Sequence, residues 1–197
     1  EKHNEKMKRL KTSKQKIFAK KTKKKGLIIV NTGTGKGKST AAFGMVFRGI
    51  AHGMPCAVVQ FIKGAMATGE RDLIQQHFPK LCEFHTLGDG FTWDTQDKEK
   101  DIASAKKAWC KAKELISDKK KKIILLDEIN IALRYGYVEI DDVITFLLEK
   151  KPKMTHVILT GRNANEKLIA IADLVTDMTL VKHHFRNGVM SQAGIEF

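Results

Sequence analysis

Short unbroken apolar runs alternate along this chain with stretches in which apolar residues return every three or four positions. The runs fall at residues 27–31, 57–62, 123–127 and 156–160, and a shorter, more polar third run at 83–87 joins them in the sequence. Strands that are apolar without alternation are buried on both faces. The periodic stretches at 38–52, 70–77, 97–116, 140–148 and 166–172 predict helices between them. Strands interleaved with helices predict an α/β fold, a mostly parallel sheet flanked by helices. Lys150-Lys151-Pro152 breaks the pattern before the fifth run. Residues 174–182 and 189–197 read as two late strands about a turn at Asn187-Gly188. The helix at 38–52 is apolar over most of its circumference and is expected to lie inside the protein. No aliphatic run approaches the roughly 20 residues of a membrane span, and the N-terminal stretch lacks the apolar core of a secretory signal.

The chain has 197 residues and a net charge of +14. Residues 1–25 hold 12 of the 36 basic groups and 2 of the 22 acids, so they carry +10 and the other residues only +4. The excess belongs to an N-terminal basic arm, which argues against a nucleic-acid groove on the body. Met7, Leu10, Ile17 and Phe18 fall at helical spacing within the arm. Both a solvated tail and an amphipathic helix fit that pattern. Cys56, Cys82 and Cys110 form no metal or disulfide pattern, and are expected to be buried, reduced thiols of a cytoplasmic protein. The histidines show no ligand spacing and are expected to be structural.

The sharpest local signal follows the first run: Asn31-Thr32-Gly33-Thr34-Gly35-Lys36-Gly37-Lys38-Ser39-Thr40. Glycines let backbone N–H groups approach phosphate oxygens, and the following helix N-terminus adds partial positive charge. Lys36 and Lys38 can meet the phosphates, and Ser39 can offer its hydroxyl to Mg²⁺ (or Mn²⁺). Relative to G-x-x-x-x-G-K-[ST], the leading glycine is displaced: Thr32 stands where it should be and Gly33 leads. Arg48, on the same helix, could reach the nucleotide or only form an ion pair. The run at 123–127 ends in Asp127 and Glu128. In parallel α/β sheets, ligands sit beyond the C-terminal strand ends, so these carboxylates are candidates for the metal or its water. On these residues alone, a small-molecule kinase and a RecA-like, nucleic-acid-dependent ATPase share the expectation with other ATP-using enzymes.

The loop Gly90-Phe91-Thr92-Trp93-Asp94-Thr95-Gln96 carries two large aromatics among polar residues. They could plug the local core or present a flat apolar surface to a ligand. With this loop, the glycine loop, Val58-Val59-Gln60-Phe61-Ile62-Lys63-Gly64, Leu125-Leu126-Asp127-Glu128, His156-Val157-Ile158-Leu159-Thr160-Gly161-Arg162 and Ala172-Asp173-Leu174-Val175-Thr176-Asp177-Met178, the chain resembles the ATP:corrinoid adenosyltransferases, the cob(I)yrinic acid a,c-diamide adenosyltransferase family. The resemblance spans residues 26–197, and the displaced leading glycine is itself a mark of that family. Two departures are Ser39, where threonine is commoner, and the extra positive charge of His184-Phe185-Arg186.

The resemblance implies a single RecA-like P-loop domain over 26–197, following the arm at 1–25. It implies transfer of the 5′-deoxyadenosyl group of ATP to Co(I) of a corrinoid (cobalamin, cobinamide or cobyrinic acid a,c-diamide), with release of triphosphate. Gly33, Thr34, Gly35, Lys36, Gly37, Lys38, Ser39, Thr40 and Arg48 would bind ATP. Lys36 and Lys38 would stabilise the leaving group. Phe91 and Trp93 would press on the lower corrin face, easing reduction by a flavodoxin-like donor. The arm would cover the site, and the protein would be a homodimer.

Overall fold

The structure is a computed structural model that describes residues 2–62, 68–87 and 98–197. Six parallel strands form one sheet: β1 Ile28–Thr32, β2 Cys56–Gln60, β3 Cys82–Thr86, β4 Ile123–Asp127, β5 His156–Thr160 and β6 Leu174–Asp177. Their spatial order is β3-β2-β4-β5-β1-β6. The helices are α1 Lys2–Ala19, α2 Lys38–Ala51, α3 Gly69–His77, α4 Lys98–Ser117, α5 Ile129–Arg134, α6 Ile140–Glu149 and α7 Glu166–Ile171. The expectation of an α/β fold, a parallel sheet flanked by helices, holds. A single strand, β5, lies between β1, which feeds the glycine loop, and β4, which ends in the acids.

Strand geometry explains why the apolar runs do not alternate. Successive side chains point to opposite faces, and both faces are covered. Val30, Val59, Leu126 and Leu159 face a core built with α4, α5, α6 and α7, where Trp109, Ile116, Ile129 and Leu147 are buried. Ile29, Val58, Leu125 and Ile158 face the other core, against Phe43, Val46 and Ile50 of α2 and Ile74 of α3. Trp109 is nearly buried, and its indole N–H donates to Asp142 of α6 at 2.6 Å.

Four expectations need correction. No strand forms over 189–197. His184–Asn187 is a 3-10 turn closed by Gly188, and β6 stops at Asp177. Beyond β6, the chain packs against the glycine loop instead of extending the sheet: Met178 accepts from the Gly35 N–H at 2.6 Å. The helix α2 is not enclosed all round. Ala42, Phe43, Val46 and Ile50 are buried, while Ala41, Gly44 and Ala51 are exposed, because the sheet covers only one side. Cys110 is exposed on α4, unlike the buried Cys56 and Cys82. The arm forms the helix α1, of which no residue is buried.

Candidate functional site

The glycine loop leaves β1 at Thr32 and enters α2 at Lys38, and its conformation needs its glycines. Gly33 (φ 105°) and Gly37 (φ 102°) adopt backbone angles that L side chains rarely take. A Cβ on Gly33 would stand 2.3 Å from Asp177 Oδ1 and 2.5 Å from the Met178 carbonyl. The loop is thus folded tightly onto the end of β6. The Lys38 ammonium, buried at the start of α2, donates to the Gly35 carbonyl. Burial lowers its pKa, opposed by the charge of Glu128.

The acids at the end of β4 divide into a satisfied and an unsatisfied one. Asp127 is buried; Thr160 Oγ1 donates to its Oδ1 at 2.8 Å, and Gln60 Nε2 to its Oδ2 at 3.3 Å. The Ser39 hydroxyl also bonds to it. Burial pushes the Asp127 pKa up, and these three bonds pull it down. Glu128 takes φ 61° at the N-cap of α5, its N–H donating to Thr160 Oγ1 at 2.9 Å. Its Oε2 is buried without a hydrogen-bond partner among the described residues. Burial, then the charge of Asp127, pushes its pKa up to about 7, while Lys38 and Arg162 oppose the rise.

These groups open onto a cavity of about 810 Å³, lined by Gly35 to Thr40, Glu128, Arg162 and, more apolar, Phe61, Ile131, Tyr135 and Tyr137. The Tyr135 and Tyr137 rings stack with centroids 5.6 Å apart. Of the residues expected to bind nucleotide, Gly35, Lys36, Gly37, Lys38, Ser39 and Thr40 reach the cavity. Gly33 and Thr34 do not line it, and Gly33 serves instead to seat the loop on β6. Arg48 is exposed in the last turn of α2, ten residues and so about 15 Å along the helix from Lys38. Phe91 and Trp93 lie outside the described residues.

Sequence reasoning did not single out Arg162, Gln60 or Thr160 as site residues. Gln60, Thr160 and Arg162 stand at or just beyond strand ends, the position where parallel sheets gather ligand groups. That positional rule, applied to every strand, would have found all three. Tyr135 and Tyr137 follow α5, a six-residue helix too short for its periodicity to show.

The donor set suits a hard cation: the Ser39 hydroxyl and the two clustered carboxylates, of which Glu128 has a buried oxygen without a partner among the described residues. No group of three or more His, Cys, Asp or Glu gathers as a ready-made cage among the described residues. Mg²⁺ is usually held by one or two carboxylates plus phosphate oxygens, and the chemistry of these residues fits that pattern.

Comparison with known proteins agrees with this geometry. The chain is 66% identical over 195 residues to a corrinoid adenosyltransferase of Sinorhizobium sp, covering 99% of this chain and 91% of that one. It is 46% identical to one of Pseudomonas aeruginosa over 100% of this chain and 96% of the other. A corrinoid adenosyltransferase of Escherichia coli strain K12 is 39% identical over 100% and 98%. The family model described as ATP:corrinoid adenosyltransferase BtuR/CobO/CobP matches residues 24–197, and the chain belongs to that family.

Proposed function

We propose that this enzyme transfers the 5′-deoxyadenosyl group of ATP to the Co(I) of a corrinoid and releases triphosphate. Family membership supports the reaction, and one structural observation carries the mechanism. Lys36, Lys38 and Arg162 line one cavity together with the glycine loop and the first residues of α2. In this reaction the cobalt electron pair forms the bond to C5′ of the ribose, and the C5′–O bond breaks. The bonding pair leaves on the triphosphate. Co(I) is a strong enough nucleophile to need no general base. The protein has to hold and neutralise a leaving group with several negative charges, and this is what a preorganised cationic end does.

Lys38 is the central cation. Its bond to the Gly35 carbonyl holds the ammonium in the loop until phosphate oxygens replace that carbonyl. Ser39, Asp127 and Glu128 would hold Mg²⁺ (or Mn²⁺), which when bound supplies further charge neutralisation to the triphosphate. Asp127 orients the Ser39 hydroxyl while Thr160 and Gln60 fix Asp127. The apolar side chains of Phe61 and Ile131 in the cavity lining would help to keep water from the reacting C5′ and cobalt.

The reading includes Phe91 and Trp93 as the aromatic wedge beneath the corrin, which strips lower-face ligation and eases reduction to Co(I). A flavodoxin-like protein supplies the electron, and the enzyme works as a cytoplasmic homodimer with the basic arm over the site. No helix among the described residues is long and apolar enough to cross a membrane. Nucleic acid has no part in this reading.

The test is product identity. With ATP, Mg²⁺ and a chemically reduced Co(I) corrinoid, the expected products are adenosylcorrinoid and triphosphate in equal amounts, read by absorbance and by anion chromatography. ADP and inorganic phosphate in their place would mean a γ-phosphoryl-transfer enzyme.

A further inference from the structure

The phosphate loop meets an anion from the chain itself. Glu196 lines the nucleotide cavity, and its Oε2 lies 2.7 Å from Lys36 Nζ. His184 Nε2 stands 2.9 Å from Oε1, close enough for an ion pair though off the line of a good hydrogen bond. The Glu196 side chain is only 16% exposed, while that of Lys36 is 49% exposed. The hydrogen bond from Lys36, followed by the charges of Lys36, His184 and His183, holds the Glu196 carboxyl below the usual carboxylate range. It is therefore a carboxylate at neutral pH.

The segment that carries Glu196 is loosely tied. Among the described residues, its backbone hydrogen bonds close locally: Val189 N–H to His184, Ile195 and Glu196 N–H to Gln192, and Gly194 N–H to Phe197. Met190 and Ile195 are 77% and 74% exposed. Little apolar burial opposes its movement.

We propose that Glu196 is an internal competitor for Lys36, which a polyphosphate must displace to bind and which helps to expel it afterwards. The inference rests on the phosphate-site reading above. Lys36 cannot give its full charge to both a carboxylate and a triphosphate. Two anions in one small cationic site repel, so occupancy by one raises the free energy of the other. His184 stands beside the second oxygen on the same segment, so that the displaced carboxylate stays near the loop and can return when the product loosens. A product bearing several negative charges would otherwise leave a lysine-lined loop slowly.

The experiment is calorimetric titration of the whole chain with inorganic triphosphate and Mg²⁺, without corrinoid or turnover. Glu196→Gln should bind triphosphate about fivefold more tightly than wild type, the scale of one partly exposed ion pair. Glu196→Asp, which keeps the charge, should stay near wild type. In a Lys36→Met background, Glu196→Gln should bring no further gain, because the contested cation is gone. Unchanged or weaker binding by Glu196→Gln overturns the inference, as does an equal gain in the Lys36→Met background. If wild type and variants alike bind no triphosphate, the phosphate-site reading falls, and this inference with it.

Discussion

At the scale of single residues, Glu128 is the most telling. It adopts a left-handed conformation that costs about 1–3 kcal/mol in a non-glycine residue, and it buries a carboxylate oxygen without a partner among the described residues. Both costs are expected of a group held ready for a ligand. They also predict a pH dependence. Its pKa is about 7 in the fold against 4.5 for an ordinary glutamate, so the folded state favours the protonated acid. Stability from this group is complete below about pH 4.5 and is lost as pH rises through about 7. The loss should be on the order of 3 kcal/mol in metal-free protein. Glu128→Gln should remove that part of the slope, as measured by urea unfolding at pH 5 and pH 8 without divalent cations. An unaltered difference between the two pH values would show that Glu128 is not desolvated as described. Asp127 and Glu128 were both legible from the strand they end. Arg162 was missed although it stands just beyond the end of β5, and its weight comes from the charges of Lys38 and Glu128 beside it.

Among elements, the contact between the glycine loop and the end of β6 decides whether the site exists. Gly35 has ordinary backbone angles but no space: a Cβ would lie 2.7 Å from the Met178 carbonyl and 2.8 Å from that of Thr179. Backbone cannot yield as a flexible side chain can. Gly35→Ala should therefore cost about 1–3 kcal/mol of stability and weaken triphosphate binding by moving the neighbouring lysines. Gly44→Ala is the control. It lies in α2 with nothing within 4 Å of the place a Cβ would take, and should raise stability by about 0.5–1 kcal/mol. Chemical denaturation of the two variants checks both signs. The same contact explains what the chain pattern showed and what it hid. Strands β1, β2, β4 and β5 were legible because each is a continuous apolar run between two covered faces. The segment after β6 also has strand-like composition, but it leaves the outer edge of β6 unpaired and turns instead to cap the loop. Alternation and propensity carry no record of such a choice between partners.

For the whole molecule, the question is what the charge does. Most of the +14 sits in the first 25 residues, and the helix α1 among them has no buried residue. Met7, Leu10, Ile17 and Phe18 of α1 are 44–70% exposed, so the helix gains no apolar burial from the chain to which it is joined. A helix of 18 residues with no tertiary packing contributes little to global stability. Removing residues 1–24, while leaving Lys25 in its ion pair with Asp173, takes away +9 of the +14 and none of either core. The melting temperature of the shortened chain should stay within about 2 °C of the full chain, since a loss of 1 kcal/mol would shift it by about 2–4 °C in a protein of this size. Any binding of the full chain to DNA in low salt should weaken in the shortened chain, and its salt dependence should flatten, because the number of phosphates neutralised sets that slope. A drop of more than about 5 °C, at a protein concentration where the full chain is a monomer, would mean that α1 packs on its own body. A drop that appears only as concentration rises would mean that its apolar stripe is spent on a second copy.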